Sequence, residues 1–206
     1  MRYFIGNWKM FGLPKSISIL NKINSFVKID KNSKKYRVII TPPYTLLESF
    51  SKSYKNKKID IGAQNSYHKD MFSSNTGAIS SYMIKKLGSK YIIIGHSDNR
   101  SEGDSDSILK KKVSIALKNN LKVIFCIGEN KEQKKKKQTF KILKNQINKV
   151  LEKKFSPNNI IVAYEPIWSI GTGTIPGASE LSETTRFIKK VLIEIFGSRK
   201  TPAVLY

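Results

Sequence analysis

The chain contains a single cysteine among its 206 residues. One thiol cannot form an intramolecular disulfide, so the sequence excludes the disulfide-rich class of small secreted domains. Cys126 lies in the apolar run Val-Ile-Phe-Cys-Ile, which is typical of a buried strand. We therefore expect a packed structural thiol rather than a reactive one. Low cysteine use also suits a reducing compartment, and we expect a cytoplasmic protein.

Long hydrophobic segments are absent too. No run approaches the roughly 20 consecutive apolar residues that a membrane-spanning helix needs, so we expect no membrane contact. The first residues, MRYFIGNWKM, contain neither a long apolar stretch nor a small-residue cleavage site, and they do not predict a secretory signal. The sequence also lacks metal-ligand clusters and cofactor fingerprints, so we expect no metal and no cofactor.

Acidic residues are scarce: 15 Asp and Glu stand against 38 Lys and Arg, which gives a formal net charge of +23. A positive charge of this size is typical of proteins that bind nucleic acid. However, nearly all of it is lysine, whereas base readout and bidentate phosphate contacts favour arginine. We expect a solvated lysine-rich surface, no nucleic-acid partner and long-range attraction for anionic substrates. The lysine-rich run 131–137 is interpreted as a solvated helix face, with a phosphate- or RNA-binding patch as the alternative.

Short apolar runs alternate along the chain with longer segments of helical spacing. Most strand candidates are continuously apolar, as in strands covered on both faces. This alternation predicts an α/β protein with a parallel sheet in a single domain, 1–206. Six βα units and a seventh strand favour a (β/α)8 barrel over the alternative of an open doubly wound sheet, because no Gly-rich dinucleotide fingerprint follows the first strand. The strand candidates are 3–7, 36–40, 58–63, 91–95, 122–127, 160–164 and 202–206, and the helix candidates are 16–27, 44–53, 80–87, 105–119, 133–154 and 179–196.

A carboxylate ends the sixth strand candidate. The run Ile-Ile-Val-Ala-Tyr leads into Glu165, a proline stops the strand, and a Gly/Thr-rich segment follows. The proline and tryptophan suit a stiff hinge and a hydrophobic latch, while the glycines let the backbone approach a phosphate. The segment therefore predicts a base at a strand tip with a mobile lid attached. The lid residues are Pro166, Ile167, Trp168, Ser169, Ile170, Gly171, Thr172 and Gly173.

Two other strand candidates also end in polar side chains. Asn7 and Lys9 follow the first strand, and His96 follows the fourth. Reactive groups of β/α barrels lie at the carboxyl ends of the strands, so a Lys, a His and a Glu in this position predict one active site. His68 lies in a polar loop and receives no role.

Taken together, these segments closely resemble the triosephosphate isomerase family. The matching motifs are NWKM at 7–10, IGHS at 94–97 and AYEPIWSIGTG at 163–173, supported by QN at 64–65, TG at 76–77 and CIGE at 126–129. The resemblance runs the length of the chain and implies a TIM-barrel enzyme of glycolysis and gluconeogenesis, which interconverts dihydroxyacetone phosphate and D-glyceraldehyde 3-phosphate through an enediolate. The alternatives are another phosphate-binding barrel enzyme and an inactive incomplete barrel.

The resemblance also implies a role for each site residue. Glu165 would remove a proton from the carbon next to the substrate carbonyl. A neutral His96 would polarise that carbonyl and shuttle protons between the oxygens, as described for this family. Lys9, positioned by Asn7, would clamp the phosphate and the developing enolate oxygen. The backbone N–H of Gly171 would bind the phosphate beneath the closed lid.

The same resemblance implies a homodimer, in which the loop around Thr76 docks into a neighbouring subunit. Asp98 stands where the family has Glu, and its shorter side chain would loosen a charge pair with Lys9. Asn99 replaces an Arg and Ala78 replaces a Glu, and both positions normally pair charges at the dimer interface. Because both partners change together, no charge is orphaned, and we expect a changed interface rather than a broken one.

The chain ends at Tyr206, within the seventh strand candidate. The family continues with a Gly-Gly-Ser phosphate loop, a seventh helix, an eighth strand and an eighth helix. We therefore expect a barrel truncated within its seventh strand, with half of the phosphate cradle missing and an apolar edge beside the first strand. Weak turnover or none is expected for the segment 1–206.

Overall fold

The computed structural model describes residues 1–55 and 57–206, in which strands and helices alternate. The strands are β1 Arg2–Asn7, β2 Tyr36–Thr41, β3 Ile59–Ala63, β4 Tyr91–Ile94, β5 Lys122–Ile127, β6 Ile160–Tyr164 and β7 Ala203–Leu205. The α-helices are α1 Ile17–Ile29, α2 Tyr44–Ser53, α3 Ser81–Lys86, α4 Ser97–Ser101, α5 Asp106–Lys118, α6 Lys131–Lys135, α7 Thr139–Val150 and α8 Ala178–Phe196. Short 3-10 turns occupy Pro14–Ser16, Ser33–Lys35, Pro157–Asn159 and Ile167–Ser169.

The described chain falls into two compact units. The first comprises Met1–Ile93 and Lys118–Lys122, and the second comprises Ile94–Leu117 and Val123–Tyr206. Each unit holds its own strands, helices and buried side chains. The prediction of a single domain over 1–206 stays a prediction.

Strand pairing inside each unit is parallel and follows chain order. In the first unit β1 pairs with β2, β2 with β3 and β3 with β4, and the β1–β2 register ends at Asn7 opposite Thr41. In the second unit β5 pairs with β6 and β6 with β7, and the β5–β6 register ends at Ile127 opposite Tyr164. Neighbouring parallel strands end at the same edge, so the residues that follow these strands within a unit are brought close together.

Most strands are covered on both faces, as their apolar sequences predict. Every residue of β3, β4 and β6 is buried, and so is β5 from Val123 onward. Helix α7 buries Leu143, Ile147 and Val150, which recur at the spacing of one helical face. Among the described residues, none of the helices combines the length and the apolar character that crossing a membrane requires.

The prediction of one helix over 133–154 is wrong, because two helices occupy this part of the chain. A reciprocal pair of hydrogen bonds between the side chains and backbones of Asn130 and Gln133 starts α6 two residues earlier than predicted. Lys137 then adopts a left-handed conformation with φ 55°, which ends the helix before α7 begins. At its C-terminal end, α7 stops at Val150 and not at the predicted residue 154, because the backbone of Leu151 is already extended.

Candidate active site

Two of the predicted catalytic residues face each other in the second unit. His96 follows β4 after one glycine, and Glu165 follows β6 directly. The His96 Nε2 atom lies 3.6 Å from the Glu165 Oε2 atom. The His96 side chain is 7% exposed and that of Glu165 is 38% exposed. The imidazole is therefore fixed in a buried position, while the carboxylate reaches solvent where a small molecule can meet both groups.

The orientation of the His96 ring follows from the short helix α4, which the sequence did not predict. His96 caps this helix, and its Nδ1 atom accepts a hydrogen bond of 3.1 Å from the backbone N–H of Asp98. An Nδ1 atom that accepts an N–H carries no proton, so the neutral ring holds its proton on Nε2. That Nε2–H points toward Glu165, where it can serve as a donor to a substrate oxygen.

Arg100 ties the segment that carries His96 to β5, the strand that pairs with β6. Its Nε donates to the carbonyl oxygen of Gly95 at 2.7 Å, and its Nη2 donates to that of Cys126 at 3.1 Å. The Asp106 Oδ1 atom lies 3.3 Å from Nη1 and partly compensates the charge of the part-buried guanidinium, whose pKa is lowered by desolvation. Because Gly95 precedes His96, the arginine sets the position from which the imidazole projects.

Cys126 is a buried free thiol, as predicted. Burial raises the pKa of the Cys126 thiol well above its ordinary value, and the nearby Glu165 carboxylate raises it further. The thiol therefore stays protonated and is a poor nucleophile. It packs close to Glu165.

The raised pKa of Cys126 predicts a loss of stability at alkaline pH. In the unfolded chain the thiol has its ordinary pKa of about 8.5, whereas in the folded chain the raised pKa keeps the thiol protonated above that pH. Above that pH the unfolded state binds fewer protons than the folded state, so the free energy of unfolding falls as pH rises, by up to about 1.4 kcal/mol per pH unit for this group. Urea denaturation under reducing conditions at pH 7.5, 9 and 10 measures this slope. Cys126→Ser should make it shallower, and an unchanged slope would contradict the assignment.

The segment after Glu165 folds as a compact loop. A 3-10 turn spans Ile167–Ser169, and the Thr172 hydroxyl donates back to the carbonyl oxygen of Trp168 at 3.1 Å. Gly171 and Gly173 have φ of 71° and 73°, and a Cβ added to either would meet no atom within 4 Å. These glycines are therefore required by backbone conformation rather than by space.

Trp168 anchors this loop to the body of the second unit. Its Nε1–H donates to Glu129 Oε1 at 2.8 Å, and the Tyr164 hydroxyl donates to the same oxygen at 3.2 Å. The Lys134 Nζ lies 3.5 Å above the Trp168 ring and also pairs with the Glu180 carboxylate of α8. A cation over an indole face is attractive, so the loop is held by both a hydrogen bond and a cation–π contact.

The interpretation of 131–137 as a solvated face is therefore wrong for Lys134. Its neighbours Lys131, Lys135 and Lys136 are exposed, as expected, whereas Lys134 is half-buried against the loop. In sequence it is one lysine among several, and no local pattern distinguishes it. Only the packing of α6 beside the loop identifies the residue.

Asn7 and Lys9 lie together in the first unit. Lys9 has φ 50°, a left-handed conformation that costs a residue with a side chain about 1 kcal/mol or more. The Asn7 Oδ1 accepts the Lys9 N–H at 3.0 Å. Gln64 donates from its Nε2 to the carbonyl oxygens of Lys9 and Thr41 at 2.8 and 2.9 Å. Surrounding amides thus hold Lys9 in a strained conformation, which is common at functional sites.

No cluster of three or more His, Cys, Asp or Glu side chains suited to a metal ion occurs in residues 1–55 and 57–206. His68, for which no role is predicted, packs against the ring of Tyr67 with 4.2 Å between ring centroids.

Comparisons with known proteins agree with this geometry. A family model described as "Triosephosphate isomerase" matches residues 2–206. The triosephosphate isomerase of Thermodesulfovibrio yellowstonii is 36% identical over 199 residues, which are 96% of this chain and 80% of that protein. That of Wolbachia pipientis wMel is 38% identical over 187 residues, with 90% and 72% covered. A crystal structure of triosephosphate isomerase from Bartonella henselae aligns with a TM-score of 0.88 and 30% identity, over 100% of this chain and 81% of that one.

Proposed function

The chain belongs to the triosephosphate isomerase family, and we propose that it interconverts dihydroxyacetone phosphate and D-glyceraldehyde 3-phosphate in glycolysis and gluconeogenesis. The observation that carries this proposal is the separation of 3.6 Å between the His96 imidazole and the Glu165 carboxylate, which follow the ends of β4 and β6 within two residues. Family membership carries the (β/α) barrel fold with it and leaves the open doubly wound sheet without support. It also disfavours a barrel enzyme of another family.

We propose that Glu165 and His96 divide the proton transfers. Glu165 removes a proton from the carbon that bears the hydroxyl group next to the carbonyl, and the electron pair of that C–H bond forms the carbon–carbon double bond of an enediolate. The Nε2–H of His96 stabilises the oxygen on which negative charge develops and moves a proton between the two oxygens. Return of the proton from Glu165 to the neighbouring carbon completes the isomerisation. Because no net oxidation occurs, the step requires no external electron donor or acceptor.

Lys9, Asn7 and the lid are proposed to bind the substrate. Lys9 supplies a positive charge for the phosphate dianion and the developing enolate oxygen, and Asn7 positions it. The N–H of Gly171 donates to the phosphate when the lid, Pro166 to Gly173, closes and excludes water. The left-handed backbone of Gly171 and the strained backbone of Lys9 are consistent with these roles.

An assay of the purified chain tests the proposal. D-Glyceraldehyde 3-phosphate is supplied, and the dihydroxyacetone phosphate formed is reduced by an NADH-dependent coupling enzyme. We expect weak turnover that is nevertheless above the uncatalysed background. His96→Gln should lower kcat by about 10²-fold or more, since proton transfer and oxyanion stabilisation are both lost. His68→Gln is the matched control and should leave kcat unchanged. A wild-type chain without turnover would favour the inactive barrel instead.

We propose further that the protein is a cytoplasmic homodimer. The first unit exposes large apolar side chains on two loops: Met10 and Phe11 are 94% and 77% exposed, and Phe72, near Thr76, is 74% exposed. Exposed apolar groups of this size often mark protein interfaces. Light scattering on a sizing column should give twice the mass of one chain, whereas a monomer at assay concentrations would contradict the dimer. The absence of a nucleic-acid partner stays a prediction.

A further inference from the structure

Gly128 lies directly behind the main chain of Glu165. It follows the last residue of β5, and an added Cβ would lie 2.0 Å from the Glu165 carbonyl oxygen and 2.8 Å from its carbonyl carbon. Both distances are far below van der Waals contact. Glycine is thus required here by the close approach of another backbone, and the position of Gly128 sets how far Glu165 projects.

Hydrogen bonds on either side of Gly128 couple the two segments. The Glu165 N–H donates to the carbonyl oxygen of Ile127 at 2.8 Å, and the Ile167 N–H donates to that of Glu129 at 3.0 Å. These bonds continue the parallel β5–β6 pairing beyond the ends of both strands. A shift of the backbone at 127–129 would therefore move the backbone of Glu165 with it.

A single side chain of α7 holds Gly128 in place. The Gln146 Oε1 accepts the Gly128 N–H at 3.0 Å, and the Gln146 Nε2 donates to the Gly128 carbonyl oxygen at 3.0 Å. A planar amide that meets both polar groups of one residue fixes its position and its tilt. Leu143 and Ile147, which flank Gln146 on α7, are buried in the core. This packing fixes the helix, and the helix in turn fixes the Gln146 side chain against Gly128.

We infer that Gln146 is a positioning residue for the base of the proposed isomerase reaction: it clamps Gly128, against which the Glu165 backbone rests. The inference depends on the proposed function, because Glu165 is the base only in that reaction. Gln146 contacts Gly128 and acts on the carboxylate only through it. Its loss should therefore affect the chemical step more than the binding of the substrate.

The test replaces Gln146 by methionine, which keeps the unbranched shape and removes both hydrogen bonds. We expect kcat to fall about 10-fold with KM changed less than about 2-fold, since a displacement near 1 Å of a reacting group can cost up to about 10²-fold. Gln146→Asn, whose amide is one methylene shorter, should fall between the wild type and Gln146→Met. Asn145→Leu, at an exposed position of the same helix, is the control and should leave kcat unchanged.

A double-mutant cycle separates positioning from a general loss of stability. In a Glu165→Asp background the base is already displaced, so Gln146→Met should cost less than about 3-fold there. Equal fold-losses in both backgrounds, or an unchanged kcat in folded Gln146→Met, would overturn the inference. Gln146→Asn serves the same cycle if Gln146→Met does not fold.

A spectroscopic readout keeps this test independent of turnover. The chain has two histidines, so the ring resonances of His96 can be followed at a fixed pH with those of His68 as an internal reference. Movement of Glu165 should shift the His96 resonances in Gln146→Met and leave those of His68 in place. Unshifted His96 resonances would overturn the positioning role. A wild type without turnover would overturn the proposed function, and the His96 resonances would then still show whether Gln146 positions the Glu165 carboxylate.

Discussion

Replacing Lys9 by methionine is expected to reduce kcat/KM by at least about 10³-fold while the protein stays folded. The proposed substrate carries a phosphate dianion, and negative charge develops on its oxygen in the transition state. A fixed cation acts on both charges, and it costs no reorganisation when the reaction occurs. The structure fixes the main chain from which this side chain projects, because the Lys9 backbone is held at φ 50° by the side chains of Asn7 and Gln64. Methionine keeps an unbranched stem and removes the ammonium group, with its charge and its hydrogen-bond donors.

The control for this experiment addresses the high net charge of the chain. Lys22→Met removes the same charge from an exposed position on α1 and should leave kcat/KM within about 2-fold. If both variants lose activity equally, long-range attraction of the substrate rather than a local clamp explains the effect. Thermal melts of both proteins establish that they are folded. A folded and fully active Lys9→Met would rule out the clamp.

The strand ends are the part of the fold that the sequence predicts best. The predicted strands 122–127 and 160–164 coincide with β5 and β6. From Val123 onward β5 is an unbroken apolar run, as is the whole of β6, and in β6 the run must stop where Glu165 introduces a charge and Pro166 removes a backbone donor. Since the candidate site is built at such ends, the pairing of His96 with Glu165 follows from the same signals once the motifs are recognised.

The contacts that hold these ends in place are not visible in the sequence. Gln146 is one of three amide side chains close together on α7, with Asn145 and Asn148, and only tertiary structure shows which of them reaches Gly128. The sequence likewise does not distinguish Lys134, which contacts Trp168, from its neighbouring lysines. The break between α6 and α7 escapes prediction because no glycine or proline marks it between residues 131 and 150, while the left-handed Lys137 is decided by local backbone geometry.

Shortening the base should test its placement most directly. Glu165→Asp keeps the charge and retracts the carboxylate by one methylene, roughly 1.5 Å of bond length. The main chain at this position cannot follow, because it is hydrogen-bonded to Ile127 at 2.8 Å and backed by Gly128. We therefore expect kcat to fall by about 10²-fold or more, since proton abstraction needs the carboxylate within hydrogen-bond reach of the carbon acid. KM should change less than about 3-fold, because the groups proposed to bind the phosphate are untouched.

Glu183→Asp makes the same chemical change at an exposed position of α8 and should have no effect on either constant. Unchanged turnover in Glu165→Asp would remove Glu165 from the role of base, whereas a loss confined to KM would make it a substrate-binding group instead.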